Sequence, residues 1–547
     1  MLSPPPFRST ARVRTAAPSR RAQLRLLGLF LAFVLVALGL YAPSFDGPFY
    51  ADDLWNIRHN VGVHSLTPGA LAGLLDPGGE AARLTQNWAP VHLFAHAVEW
   101  RFFGEDVAPY HLVNALVHAV TSFLLGLLLL RAGLPFLAAW MGAVFFLVHP
   151  ANVEAVAWIY QLKTTLALGL THVALLLLGP RPGFATAAFV VALTTKAIAA
   201  LALPVAVVAG WAARESAPRW AWLGLWAALV VLFVVLSYPV LHSTNSQVPP
   251  LDPDLSVRLV TVLALGGRYL ALAASGYGVA AFRDVPLAHS LFEPWAFLGL
   301  LGSLLVGARL AVCLVGRRLE AAFWAWAVVA FVPVCQLLVP FLHNMADRYL
   351  YPILPGLIGG CLLLGHEIAG RLTPGARLWV GRSSFALAAV LCVLLAHQTF
   401  LRAEVWSRPA LLQAHTMYRY PEGHLALQHR AAEAAARGDV DAAVTALRSN
   451  MQRGDLAFQL LLQNPGLARI RREPAFQQLV QDMARRWLEL EPRFWNPSQG
   501  ELLNFADAHK ILGDLEASEA RLLRALERGG SLDALVRRDL EALRKEQ

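Results

Sequence analysis

From residue 26 to residue 400 the chain passes through one apolar run after another, at 26–40, 110–130, 134–150, 156–178, 183–195, 197–213, 220–241, 294–313, 321–341, 348–369 and 380–400. Hydrocarbon about 30 Å thick offers no water to the backbone, so runs of about 20 apolar residues must satisfy their own hydrogen bonds and become helices. The composition agrees, with 56% hydrophobic residues, only 15% charged and a mean hydropathy of +0.49. An ordinary soluble chain carries about a quarter charged residues. The expected fold class is therefore all-α, a polytopic membrane helix bundle. Runs 183–195 and 197–213 are short and meet at the polar Thr194-Thr195-Lys196. A further segment, 256–281, is ambiguous, holding Arg258 and Arg268 with Gly266, Gly267, Gly276 and Gly278.

Residues 1–25 carry Arg8, Arg12, Arg14, Arg20, Arg21 and Arg25 without an acid. No small-x-small cleavage site follows the first run, so it reads as an uncleaved anchor behind a basic cytoplasmic N-terminus. If 256–281 is re-entrant or interfacial, alternation puts the loops with Arg131, Arg181, Arg214, Arg219, Arg317, Arg318, Arg371, Arg377 and Arg382 all on the cytoplasmic side. That gives about 11 spans and an external C-terminus. The formal charge of +9 is scattered over these loops and the tail, which argues against a nucleic-acid partner. Cys313, Cys335, Cys361 and Cys392 sit in apolar segments with no CxxC and read as core residues.

The first external loop, 43–108, is acidic: Asp46, Asp52, Asp53, Asp76, Glu80, Glu99, Glu105 and Asp106 face Arg58, Arg83 and Arg101. Within FDGPFYADDLWNIRHN at 45–60, Asp52 and Asp53 are adjacent carboxylates beside a membrane. Such a pair needs a cation, donors or a raised pKa. It reads as a catalytic base and a candidate seat for a divalent cation, or as the cap of a helix beginning near Leu54. Residues 87–103 space Leu93, Ala97 and Trp100 on one helical face, which suits a helix lying along the membrane. His92 and His96 stand at i,i+4 but lack a third ligand of recognisable spacing. They, His111 and His118 read as polar helix contacts. At the outer ends of later runs stand His149 and Glu154, Lys196, and 343–349 with His343, Asp347 and Arg348.

From 403 to 547 the chain is soluble in character and helical. Gly438-Asp439-Val440-Asp441-Ala442-Ala443 and Gly513-Asp514-Leu515-Glu516-Ala517-Ser518 repeat a helix, tight turn, helix layout similar to tetratricopeptide repeats. A small helical domain of this kind would offer a surface to a protein partner.

DDLWNIRHN at 52–60, NWAP at 87–90, PYHLVNALVHAV at 109–120, FFLVHPANVEAVAWI at 145–159, Lys196, DRYLYPILPG at 347–356 and the repeat-bearing tail form an ordered set. This set resembles the bacterial membrane glycosyltransferases with tetratricopeptide repeats, of the GT-C superfamily, which are similar to the eukaryotic transmembrane O-mannosyltransferases with such repeats. The resemblance implies a transferase domain over 26–402. It would move a sugar, with inversion, from a polyprenyl-phosphate carrier to an acceptor protein or envelope glycan at the periplasmic face of a bacterial inner membrane. Asp52 or Asp53 would be the base, with Asp53 favoured. Lys196 and Arg348 would hold the phosphate, and His149, Glu154, Lys163 and Asp347 complete the candidate substrate-binding set. The chain departs from the family at Gln161-Leu162-Lys163-Thr164, where an Arg-Lys-Asp run is usual, and at Ala197, where Pro is common. The alternative is a catalytically decayed scaffold that recruits partners through its repeats.

Overall fold

The computed structural model describes residues 19–214, 217–247, 252, 254–281, 283–338, 344–494, 497–529 and 532–546. Arg8, Arg12 and Arg14 of the basic N-terminus, the end of the 321–341 run and His343 lie outside the described residues. Among the described residues there is no strand, only an isolated bridge between Arg283 and Met345. Six helices are long and apolar enough to cross a membrane: Arg20–Ser44, Ala108–Arg131, Arg219–Tyr238, Leu255–Ser275, Pro294–Val315 and Pro374–Trp406. They mark the chain as an integral membrane protein. Pro182–Thr195, Ala197–Ala213, Glu320–Val334 and Leu354–Gly370 are apolar but shorter.

Where runs 134–150 and 156–178 suggested two straight spans, the chain is broken. Phe136–Leu147 and Pro150–Ala157 meet at a 48° bend and could together make a seventh crossing, and Leu162–Leu177 follows. Pro150 lacks the N–H that would continue the first helix. The carbonyls released at the break each find a side-chain donor: Phe146 from Asn152 Nδ2 at 2.6 Å, Leu147 from His118 at 3.0 Å, and Val148 from Thr399 Oγ1 at 2.7 Å. Two distant segments, with Asn152 of the bend itself, thus hold the break.

Segment 256–281 forms one 21-residue helix, Leu255–Ser275, capped by Asp254 and ended by Gly276 at φ +62°. At 1.5 Å per residue it is about 31 Å long, so length does not stop it short of crossing. It packs against Pro294–Val315 through Gly267 and Gly299, where a Cβ on Gly299 would sit 1.7 Å from the Leu263 carbonyl oxygen. Only glycine permits that approach.

In the first loop, helix Pro90–Phe103 turns Leu93 and Ala97 onto Val63, Leu74 and Ala81. The face expected to meet lipid therefore closes the loop's own core, and Phe94 and Phe102 are exposed instead.

The expected domain boundary at 403 falls inside the continuous helix Pro374–Trp406. The tail is joined to the membrane part beyond it. Trp406 stacks on Trp158 at 5.8 Å, Thr416 donates to the Ala281 carbonyl at 3.1 Å, Arg283 donates to the Tyr420 hydroxyl at 3.2 Å, and the His424 amide donates to Asp284 at 2.9 Å. Further on, the two Gly-Asp motifs make the same turn. Gly438 and Gly513 take φ +78° and +83°, and Asp439 and Asp514 each accept an amide of the following helix at 3.0 Å. Glycine closes one helix in the left-handed region and aspartate caps the next.

Candidate functional site

Asp53 is buried, and both carboxyl oxygens are engaged: Oδ1 accepts the Tyr160 amide at 2.8 Å and Oδ2 the Tyr50 amide at 3.0 Å. It caps nothing, since the following turn, Leu54–Arg58, is a π-helical turn that receives no side-chain bond from it. Burial raises its pKa to about 8, against the two amides that favour the charged form. Asp53 therefore ties the first loop to the link at 158–161. The carbonyls of Trp158 and Ile159 in that link accept from Asn114 at 3.1 and 3.2 Å.

Asp52 is the exposed member of the pair. It follows Ala51, whose φ of +50° is costly for a residue with a Cβ. That turn, with the π-helical turn beside it, sends the two neighbouring carboxylates in different directions. The favoured assignment of Asp53 as base is not matched by its surroundings; Asp52 is the free carboxylate. Asp53 gives one acceptor site of each oxygen to a backbone amide. Among the described residues no group of three or more His, Cys, Asp or Glu is arranged to hold a metal ion.

Facing Asp52 are cations from two segments, and Lys196 from a third lies beside them. Lys163 lies over the Tyr160 ring, 3.7 Å from its centre, and both Lys163 and Arg348 are within electrostatic reach of Asp52. Lys196 donates to Thr164 Oγ1 at 2.7 Å, and Thr164 donates to Gln161 at 2.7 Å. Burial and the neighbouring Lys163 and Arg348 pull the Lys196 ammonium well below its ordinary range. Arg348 lies over Trp158 and Tyr349, 5.4 and 5.0 Å from the ring centres. Its amide donates to Glu154 Oε2 at 2.8 Å, and its Nη1 pairs with the other Glu154 oxygen. Like charges gathered in a partly dry place favour an anion among them.

Two candidates point elsewhere. His149 is buried, with Nδ1 accepting the Ala151 amide and Nε2 facing the Ala273 carbonyl at 3.2 Å, so it joins its turn to the end of Leu255–Ser275. Asp347 accepts Arg283 Nε at 2.5 Å and the Ala280 amide at 2.8 Å, which holds Ala280 and Arg283 and, through Arg283, the tail. Neither faces the cations.

Residues that the motifs did not single out complete the site. Tyr160 supplies the amide that holds Asp53 and the ring beneath Lys163. Gln161 and Thr164, met first as departures from a family pattern, orient Lys196. Under Tyr160 lie His92 and His96, with ring centres 4.9 and 6.3 Å from it. Burial, then the charges of His96, Lys163 and Lys196, push His92 well below its ordinary pKa. His96 pairs with Glu99 at 2.6 Å. His111 bonds the Gly47 carbonyl at 3.0 Å and His118 the Tyr351 hydroxyl at 2.9 Å, which are contacts between elements.

No protein-family model, no curated protein and no solved structure matches this chain.

Proposed function

We propose that this chain is a GT-C-type membrane glycosyltransferase that moves a sugar from a polyprenyl-phosphate carrier to an acceptor protein or envelope glycan. The observation that carries the reading is the meeting of Lys163 and Arg348 with the exposed carboxylate of Asp52, with Lys196 beside those two cations. In this reading Asp52 takes the acceptor hydroxyl proton as that oxygen attacks the anomeric carbon on the face opposite the phosphate. The bond from carbon to phosphate oxygen breaks, and the phosphate leaves onto the cations. Arg348 offers two N–H groups to one phosphate, with Glu154 fixing its fork. Asp53 shapes the loop and takes no part in proton transfer.

The same proposal carries the arrangement: about 11 spans with Leu255–Ser275 lying at the site end, the N-terminus cytoplasmic, and the site and repeat-like tail on the periplasmic side of a bacterial inner membrane. The scaffold reading draws on one feature, the Thr164 and Gln161 hydrogen bonds that occupy Lys196. Incubating the purified protein with a panel of polyprenyl-phosphate sugars and following release of the lipid phosphate separates the two. Release by the parent and its loss in Asp52→Asn support transfer. Absence of release across the panel favours the scaffold.

A further inference from the structure

The turn that presents Asp52 carries a second group that the transfer chemistry leaves unused. Residues 51–59 make two unlike turns in succession. The Leu54 amide closes a tight one on the Ala51 carbonyl at 3.1 Å, and the His59 amide closes a wide one on the Leu54 carbonyl at 2.8 Å. Asp53, Asn56 and Ile57 are buried, while Asp52, Trp55, Arg58 and His59 are exposed. Residues three apart in a tight turn lie one above the other, so the Asp52 carboxylate and the Trp55 indole share the outer face. The underside holds that face in place. Asp53 accepts the Tyr50 and Tyr160 amides, the Asn56 carbonyl accepts from Asn60 Nδ2 at 3.3 Å, and the Ile57 carbonyl meets His64 Nε2 at 2.9 Å.

Trp55 is 71% exposed. One apolar side chain in water is ordinary, but this one stands beside the free carboxylate on a wide helical turn, a feature frequent at functional sites. Its ring leans on the His59 ring at 6.1 Å, and Arg58 pairs with Glu105 at 2.9 Å in the open. A tryptophan seated in the lipid interface would have apolar neighbours on its face, whereas Trp55 has Asp52, Arg58 and His59.

We propose that Trp55 is the platform for a saccharide acceptor, with one pyranose ring stacked on the indole and a hydroxyl of the bound saccharide at Asp52. The proposal rests on the transferase reading and narrows its acceptor to a glycan. A pyranose has a face of C–H bonds and a rim of hydroxyls. The electron-rich indole face attracts the first, and the Asp52 carboxylate and His59 ring offer hydrogen-bond partners to the second. A peptide acceptor would bring backbone amides that need partners of their own, and an exposed indole supplies none. On transfer the saccharide oxygen forms its bond to the anomeric carbon and its proton passes to Asp52. The bond from that carbon to the phosphate oxygen breaks, and its electron pair leaves on the lipid phosphate.

The test uses the full chain in neutral detergent, with trisaccharides of glucose, mannose and N-acetylglucosamine and a serine- and threonine-rich peptide as separate probes. Saturation-transfer NMR reads binding without any donor. At least one trisaccharide should bind, with saturation strongest on the C–H face of one ring. Trp55→Ala should weaken that binding about 2-fold to 10-fold, the worth of an aromatic contact, and Trp55→Phe should fall between. Both variants should melt with the parent because the side chain is exposed. With a polyprenyl-phosphate sugar that the parent cleaves, the same saccharide should stimulate phosphate release, and Trp55→Ala should act on its KM rather than on kcat or on the donor's KM. Saccharide binding that ignores Trp55, or none across the panel, overturns the inference, as does release stimulated by the peptide alone. In vesicles of phosphatidylcholine brominated in its acyl chains, stronger quenching of the parent than of Trp55→Phe would place the indole in lipid and overturn it too. Trp55-dependent binding without phosphate release from any donor would keep the saccharide site and refute the transferase reading instead.

Discussion

Asp53→Asn separates the two forces acting on the buried carboxyl. Burial lifts its pKa from 3.8 to about 8, while the Tyr50 and Tyr160 amides pull it down. A group whose pKa is higher folded than unfolded keeps a proton that the unfolded chain releases. Its contribution to stability is complete below about pH 4 and is lost as the pH rises toward 8. Within that window each pH unit carries about 1.4 kcal/mol. Asn does not titrate, so the stability advantage of the parent over the variant should shrink by about 1.4 kcal/mol per unit between pH 5 and pH 7. Asn also keeps an acceptor for only one of the two amides and turns its NH₂ on the other, which lowers the variant by about 1–3 kcal/mol at every pH. Denaturant unfolding of both proteins in neutral detergent at pH 5, 6, 7 and 8 measures the difference free of every other titrating group. If the amides and not burial governed the group, its pKa would lie at or below 3.8, both states would be ionised throughout, and the difference would be flat from pH 5 to pH 8. A flat difference therefore refutes the reasoning, as does an advantage that grows with pH.

Asp52→Asn should lower lipid-phosphate release about 100-fold to 10,000-fold, as loss of a general base does, while leaving stability within about 0.5 kcal/mol because the side chain is exposed; parallel turnover and melting measurements check both. Glu154→Gln leaves Arg348 without its partner and should cost about 3 kcal/mol, whereas the double variant with Arg348→Gln should cost less than the sum of the single changes, which a double-mutant cycle reads directly. A chain ending at Arg402 loses the Trp406 stack on Trp158 and the Thr416 and Tyr420 bonds to Ala281 and Arg283. It should aggregate in detergent on size exclusion, and a monodisperse peak would show those contacts to be dispensable. Phosphatase and fluorescent reporters fused after Gln547 should report an external C-terminus; activity of the cytoplasmic reporter alone would mean that Leu255–Ser275 crosses or that one of the other expected spans does not.

Helix positions were readable from run length because backbone hydrogen bonding inside hydrocarbon leaves a chain little choice. Side-chain direction was not. Asp52 and Asp53 carry the same local signal, and what distinguishes them is the Tyr160 amide, 107 residues along the chain. Asp347 and Arg348 are neighbours in one motif, yet the short 3₁₀ turn they share sends the first to Arg283 and the second to Glu154. Arg283 lies just beyond a segment whose glycines and arginines drew attention to crossing rather than to pairing. The break at 147–150 hides in two apolar runs because its stability comes from Asn152, His118 and Thr399, which no periodicity brings together. Gln161 and Thr164 looked like losses when set against a pattern, and in the fold they orient Lys196. A short motif specifies which backbone segments meet, since turns and close packing act locally. Which atoms face one another is set by donors and acceptors tens to hundreds of residues away, so a motif marks the neighbourhood of a site and leaves the acid that faces it to be found by geometry.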